Sequence, residues 1–231
     1  MAETAQQPFI GSVVDNSALG DILGNESISI SEWPVADFPQ QMKRWIGDEE
    51  NEIRTLSDEK IHLLQNNTVF VVSFGLWDIW YLVDLGSQAA VPFINRKIEV
   101  IMEQLNILSD RTGGTNETKV ILTSPMDVSF LPAFESKKEL AKEKSAVDIL
   151  RYWSINLKTA AERWDHGNIY LFDINEFVLK LIRDWQLFAA GILEEDGMGK
   201  NEEPGWENVW EPCVLHGGVG HCGNPGKYLF W

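Results

Sequence analysis

Short continuous apolar runs alternate along the chain with longer stretches of helical periodicity. Three runs predict strands: "TVFVVSF" at Thr68–Phe74, "KVILT" at Lys119–Thr123 and "NIYLF" at Asn168–Phe172. They are too short for helices and carry no alternating polar residues, which is typical of strands buried on both faces of a parallel sheet. We therefore expect a parallel sheet covered on both sides.

The segments between and around these runs predict helices. Apolar positions have helical spacing from Phe38 to about Leu64, where the polar string "GDEENE" predicts a break between two helices. A stripe of isoleucine and leucine predicts a helix at Phe93–Leu108, and a longer amphipathic pattern predicts one at Lys138–Trp164. Residues Asn175–Ala190 are apolar nearly all round, so we expect that helix to be well buried.

The predicted order of elements is strand–helix three times over. That order is typical of parallel strands with right-handed crossovers and helices on both faces, a three-layer α/β/α sandwich of flavodoxin-like type. One domain spanning 1–231 is the economical interpretation, with an irregular segment at 1–37 and a tail at 191–231 that is rich in Gly and Trp. The final "YLFW" is strand-like.

Composition limits the functional classes. The net charge of the 231 residues is −16, which disfavours a nucleic-acid partner because phosphate binding needs clustered Lys and Arg. It suits a small neutral substrate. No apolar stretch approaches the length of a membrane span, and "MAETAQQPFIGS" lacks the features of a signal peptide. Three glycosylation sequons favour secretion only weakly, so localisation stays open.

Candidate chemistry lies where the first strand ends, because ligands bind beyond the carboxyl ends of strands in open parallel sheets. In "SFGLWDIWYL", Gly75 permits a tight turn and Asp78 follows three residues later. A strand-to-helix turn with aromatic packing and no further role is the alternative interpretation of these residues.

Several strings resemble the SGNH (GDSL) hydrolase family, especially its fungal branch. "VVSFGLWDIWYL" resembles the third conserved block, Gly-x-Asn-Asp at a strand end, and "KVILTSPMDVSFLPAF" resembles the fourth-block strand and loop. "CGNPGKYLFW" is similar to the approach to the fifth block, which continues in the family as Trp-Asp-x-x-His. The resemblance covers about residues 38–231 in consistent order.

The resemblance implies hydrolysis of acyl or acetyl esters by a Ser-His-Asp group, with no cofactor and no metal. It places Gly75, Trp77 and Asp78 at the block-three positions, with Trp77 where the family has its oxyanion-binding Asn. Asp78, when ionised, only accepts hydrogen bonds, so we expect it to brace the turn.

The family's nucleophile lies in a Gly-Asp-Ser string, which this sequence lacks. "FIGSVVDNSA" can be laid over the first block with Ser12 at the nucleophile position, although Ser12 is also interpretable as a plain loop serine. We expect instead that the first strand precedes Met1, and that the catalytic Asp and His and the final helix follow Trp231. On this interpretation the chain is truncated at both ends.

The tail offers two further clusters. Cys213 and Cys222 enclose two histidines, which admits a disulfide, free thiols or a zinc site, the disulfide being favoured. Four tryptophans admit either core and lid packing or a carbohydrate platform; they are Trp185, Trp206, Trp210 and Trp231.

The sequence thus predicts an SGNH-like esterase acting on a small-molecule or glycan ester. The alternative is a catalytically inactive relative that binds a ligand or a partner. Because an incomplete sheet leaves apolar edges open, we also expect self-association.

Overall fold

The computed structural model describes residues 12–16, 36–112, 118–137, 139–192, 205–214 and 222–230. Its α-helices are α1 Phe38–Ile53, α2 Asp58–Asn67, α3 Leu76–Leu82, α4 Ser87–Arg111, α5 Leu140–Arg163 and α6 Ile174–Ala189. Its strands are β1 Phe70–Ser73, β2 Lys119–Ser124, β3 Asn168–Asp173, β4 Asn208–Pro212 and β5 Tyr228–Phe230. Short 3-10 turns follow α3 and β2 and precede β5.

The main sheet has three parallel strands in the order β1-β2-β3. This confirms the predicted mixed α/β fold with a parallel sheet. Each strand is close to its predicted run, although β1 is shorter because Thr68, Val69 and Phe74 lie outside the paired residues.

One face of the sheet carries the hydrophobic core. Its apolar side chains, such as Val72 and Leu122, pack with α4 and α5 around the fully buried Trp153. The predicted stripe of α4 is confirmed, since Ile94, Ile98, Ile101, Leu105 and Leu108 are all buried.

The other face is more open than predicted. Val71, Ile121 and Tyr170 are paired in register and alternate with the core residues, so they share that face. Val71 is 68% exposed and Tyr170 is 65% exposed. Complete burial of both faces was therefore a wrong expectation. The described helix α6 approaches this face at Phe172, which contacts Phe177, and leaves Val71 and Tyr170 exposed.

Two helix expectations also need correction. The string "GDEENE" lies inside α1 and does not interrupt it, because glutamates favour a helix and Gly47 stands in open space. Helix α6 is not well buried: Phe177, Leu179 and Phe188 are 40–50% exposed, and only Val178 and Ile182 are buried. The helix carries apolar side chains on most of its sides, but among the described residues other elements pack against only one of those sides.

The described part of the tail forms a second, two-stranded parallel sheet of β4 and β5. The strand-like run at the end of the sequence is therefore a strand, Tyr228–Phe230, which pairs outside the main sheet. Val209 of β4 packs with Val178 and Ile182 of α6 in a small separate cluster that includes Leu229. The two-stranded sheet of β4 and β5, called the ribbon below, therefore packs against α6.

Candidate active site at the carboxyl end of β1

A sharp turn connects β1 to α3 and requires glycine. Gly75 has φ +107°, a conformation that side-chain-bearing residues rarely adopt. A Cβ atom there would lie 2.9 Å from Cζ2 of Trp153 and 3.1 Å from Cγ of Pro125. The predicted tight turn is confirmed, and glycine is needed both for the backbone conformation and for the close approach of the indole.

Asp78 lies in the first turn of α3 and is completely buried. Its Oδ1 is 2.6 Å from Nζ of Lys97, which is also completely buried on α4. Both carboxylate oxygens also accept from the backbone N–H of Val14, at 3.2 and 3.1 Å. Asp78 thus braces the segment of residues 12–16, which is separated from it by 64 positions in sequence.

Further contacts hold segment 12–16 along its length. Lys97 Nζ donates to the carbonyl of Asp15 at 3.3 Å, and the N–H of Asn16 donates to Asp37 Oδ2 at 3.0 Å. Phe38 N–H donates to the carbonyl of Val14 at 3.3 Å. Because Val13 and Val14 are almost fully buried, the segment is packed into the fold as well as hydrogen-bonded.

Ser12 is half-buried at the beginning of this segment. Its Oγ donates to the carbonyl of Ala36 at 2.9 Å and accepts from Nε2 of Gln41 at 2.9 Å. Gln41 Nε2 also donates to the Ala36 carbonyl, at 2.8 Å. The hydroxyl proton therefore points to a backbone carbonyl in this structure, and its partners include no histidine among the described residues.

Trp77 is half-buried two positions after Gly75. Its ring contacts Trp80 edge-on at a centroid distance of 6.0 Å, and Trp80 contacts Phe134 at 5.8 Å. The three rings form an aromatic wall beside the Gly75 turn. An indole N–H can donate one hydrogen bond, whereas the amide of Asn has two donors on a smaller group.

Neither of the described histidines is a hydrogen-bond partner of Ser12. His166 is two positions before β3 begins, which places it at the amino edge of the sheet, and its carbonyl accepts from Ser109 Oγ at 2.6 Å. His62 is exposed on α2. His216 and His221 lie outside the described residues.

Polar side chains link the ends of the three main strands. Thr123 Oγ1 donates to Ser73 Oγ at 2.9 Å between β2 and β1, and Ser124 Oγ donates to Asp173 Oδ1 at 3.3 Å between β2 and β3. Asp173 Oδ1 also accepts from the N–H of Glu176, so the side chain of Asp173 caps the beginning of α6. These hydroxyl and carboxylate groups make the carboxyl edge of the sheet polar and fix its spacing.

The tail contains a disulfide between Cys213 and Cys222. An oxidised cysteine has no thiolate to ligate a metal, so the zinc alternative does not apply to this pair. No cluster of metal-ligating side chains occurs among the residues that the structure describes. Of the four tryptophans, Trp185 on α6 and Trp206 in the tail pack against the small cluster on α6, whereas Trp210 is 45% exposed and contacts Trp185 edge-on. Trp231 is not among the described residues.

Sequence reasoning missed Lys97, although a signal was present. Lys97 lies three positions after Ile94 and four before Ile101, on the buried stripe of α4. A lone cation on an apolar helical stripe is unusual, because a buried charge needs a partner. The sequence does not show that Asp78 is the partner of Lys97, because the two residues meet only in the folded chain.

The chain matches no protein-family model, and no curated protein matches its sequence. Among the described helices, none is long and apolar enough to cross a membrane.

Proposed function

We propose that this chain is an SGNH-like ester hydrolase whose site lies at the carboxyl end of β1, with Ser12 as nucleophile. The observation that carries the proposal is the direct bond between the two segments that resemble the family's first and third blocks. Val14, two residues after Ser12, donates its N–H to both oxygens of Asp78. Nothing in the spacing of these segments along the chain requires them to meet.

In the proposed reaction Ser12 Oγ attacks the carbonyl carbon of an acyl or acetyl ester. The ester C–O bond then breaks, the alcohol leaves with the proton that a general base took from Ser12, and water hydrolyses the acyl-enzyme. Serine is a weak nucleophile until a base takes its proton. In this structure the proton points to the Ala36 carbonyl, so the hydroxyl must leave Ala36 and Gln41 for the proton to reach a base. The negative charge on the tetrahedral intermediate needs donors aimed at its oxygen. The indole N–H of Trp77 is the donor at the block-three position.

A second candidate function is ligand or partner binding without hydrolysis. The hydrogen bonds of Ser12 favour this binding function, because its hydroxyl already donates to Ala36 and accepts from Gln41. The replacement of an amide by the larger indole of Trp77 favours it too. In this alternative the aromatic wall of Trp77, Trp80 and Phe134 contacts the ligand.

Two measurements on the full chain separate these functions. The first is turnover of p-nitrophenyl acetate by the parent, by Ser12→Ala and by Ser129→Ala, a serine near the same edge that serves as control. The second is labelling by a fluorophosphonate, in which Ser Oγ forms a bond to phosphorus and fluoride leaves, followed by mass mapping. Hydrolysis predicts that turnover and label are both lost only in Ser12→Ala. Equal turnover in all three proteins, with no label on Ser12, would leave binding as the function.

We further propose that the main sheet belongs to a three-layer α/β/α sandwich. Helices α4 and α5 pack on one face, and α6 approaches the other through the contact of Phe177 with Phe172. The exposed Val71 and Tyr170 on that second face support self-association of the chain. A small neutral ester or glycan ester is the proposed substrate class, which the net charge of −16 favours over an anion.

A further inference from the structure

We infer that Lys97 is a positioning residue: with Asp78 it forms a buried clasp that holds segment 12–16, and thereby Ser12, against the β1–α3 turn. No sequence motif marks Lys97. The inference concerns how the proposed site is held, so its catalytic consequence rests on the proposed function, whereas the holding itself does not.

The clasp consists of two charged groups and two backbone groups of successive residues. Asp78 accepts the N–H of Val14, and Lys97 donates to the carbonyl of Asp15. The two side chains also form an ion pair with each other, in which Lys97 Nζ lies 2.6 Å from Asp78 Oδ1. Each charge therefore compensates the other and also fixes one backbone group of the segment.

Burial makes these contacts mutually dependent. Neither side chain has any exposed surface, so water cannot replace a lost partner without opening the fold. Removing the ammonium leaves the carboxylate buried with the Val14 N–H as its partner and also removes the donor to Asp15. Removal of the Lys97 ammonium should therefore first release segment 12–16 from the fold.

The segment has a second anchor, which makes release a local event. Asp37 Oδ2 accepts the N–H of Asn16, while Asp37 Oδ1 caps α1 by accepting from Gln40 N–H at 3.0 Å. Asp37 thus ties the far end of the segment to α1. The clasp holds Val14 and Asp15, next to the end at which Ser12 Oγ bonds Ala36 and Gln41.

The experiment measures access to position 12 directly. Both natural cysteines are joined in the disulfide, so Ser12→Cys introduces a free thiol whose alkylation by N-ethylmaleimide reports opening of the segment. In that background Lys97→Met should raise the labelling rate by more than about tenfold, equivalent to ~1.4 kcal/mol of opening free energy. Arg96→Met, which removes an exposed cation from the same helix, is the matched control and should leave the rate unchanged.

A pair of neutral double variants tests the geometry of the clasp. Asp78→Asn with Lys97→Met keeps an oxygen that can accept from Val14, whereas Asp78→Leu with Lys97→Met removes it. Labelling should be faster in the leucine variant. Hydrogen exchange of α5, followed in the same samples, distinguishes local release from global unfolding. Labelling of Lys97→Met at the rate of the Ser12→Cys background, or a rise matched by equal loss of protection in α5, would overturn the inference.

The labelling experiment can support or reject the clasp independently of the ester-hydrolysis test. Labelling needs no turnover, so faster labelling without Ser12-dependent hydrolysis would reject the proposed function and retain the clasp. Ser12-dependent hydrolysis with unchanged labelling would reject the clasp alone. If both proposals hold, Lys97→Met with Ser12 intact should lower kcat at an unchanged KM, since it misplaces the nucleophile without touching the substrate.

Discussion

The carboxylate of Asp78 and the ammonium of Lys97 lie 2.6 Å apart, and neither side chain is exposed to solvent. A buried ion pair is costly to desolvate and persists where additional hydrogen bonds complete it. Here the backbone of Val14 and Asp15 supplies them. The pair therefore joins α3, α4 and segment 12–16 at a single point.

Removing one member of this pair should be more costly than removing both. Lys97→Met leaves the carboxylate of Asp78 without its counter-charge, which costs about 3–5 kcal/mol where such a charge stays buried. Because release of segment 12–16 lets water reach Asp78, we expect the free energy of unfolding to fall by less than this. Asp78→Leu combined with Lys97→Met leaves no buried charge and should lose less. Urea denaturation of the parent and the two variants checks this order. A Lys97→Met protein as stable as the parent would contradict it.

Gly75 should tolerate no side chain. Gly75→Ala adds backbone strain at φ +107°, about 1–3 kcal/mol, and a clash with the indole of Trp153, about 1–3 kcal/mol more. Gly86→Ala is the matched control, because Gly86 has φ +80° but open space around its Cβ position. Thermal unfolding should show a larger loss for Gly75→Ala. Equal losses would mean that the indole moves aside at little cost.

The disulfide should stabilise the ribbon of β4 and β5. It closes a loop between positions nine apart, for which loop closure predicts about 2–3 kcal/mol. Cys213→Ala with Cys222→Ala should lower the urea midpoint by a corresponding amount. Reductant should lower the midpoint of the parent similarly and leave that of the double variant unchanged. A parent insensitive to reductant under conditions that reduce the bond would refute this contribution.

Tyr81 should make the fold sensitive to alkaline pH. Burial, and secondarily the charge of Asp78, raises the pKa of the Tyr81 hydroxyl above its ordinary value of about 10. The folded state then holds a proton that the unfolded state has released, so this contribution is intact below about pH 10 and is lost as pH rises toward the folded pKa. Tyr81→Phe should therefore lose less stability than the parent as the pH rises above about 10. Parallel urea titrations below and above this pH test the difference.

The open face of the main sheet should drive association. Val71→Thr with Tyr170→Thr replaces two exposed apolar side chains that share this face, and we expect it to shift the chain toward monomer. Val147→Thr changes a residue 50% exposed on α5 and should have no such effect. Light scattering coupled to size exclusion measures the mass. A monodisperse parent monomer would disprove the association.

Elements with strong local patterns could be predicted from sequence. The apolar residues of α4 recur at helical spacing, and the valines of β1 form a continuous apolar run. The sequence therefore predicted a helix for the first segment and a strand for the second. Exposure was predicted less well. Val71 and Phe177 are apolar by sequence yet exposed, because burial depends on whether another element packs over them.

Local sequence specifies the α/β order, the glycine turn at Gly75 and the apolar stripe in which Lys97 is the exception. These features depend on residues within a few positions of one another, where backbone sterics and periodicity act. The pairing of Lys97 with Asp78, the bonds from Val14 to Asp78, and the bonds of Ser12 to Ala36 and Gln41 arise only when the chain folds. Those contacts join residues up to 64 positions apart, and no local preference specifies which distant groups compensate a buried charge.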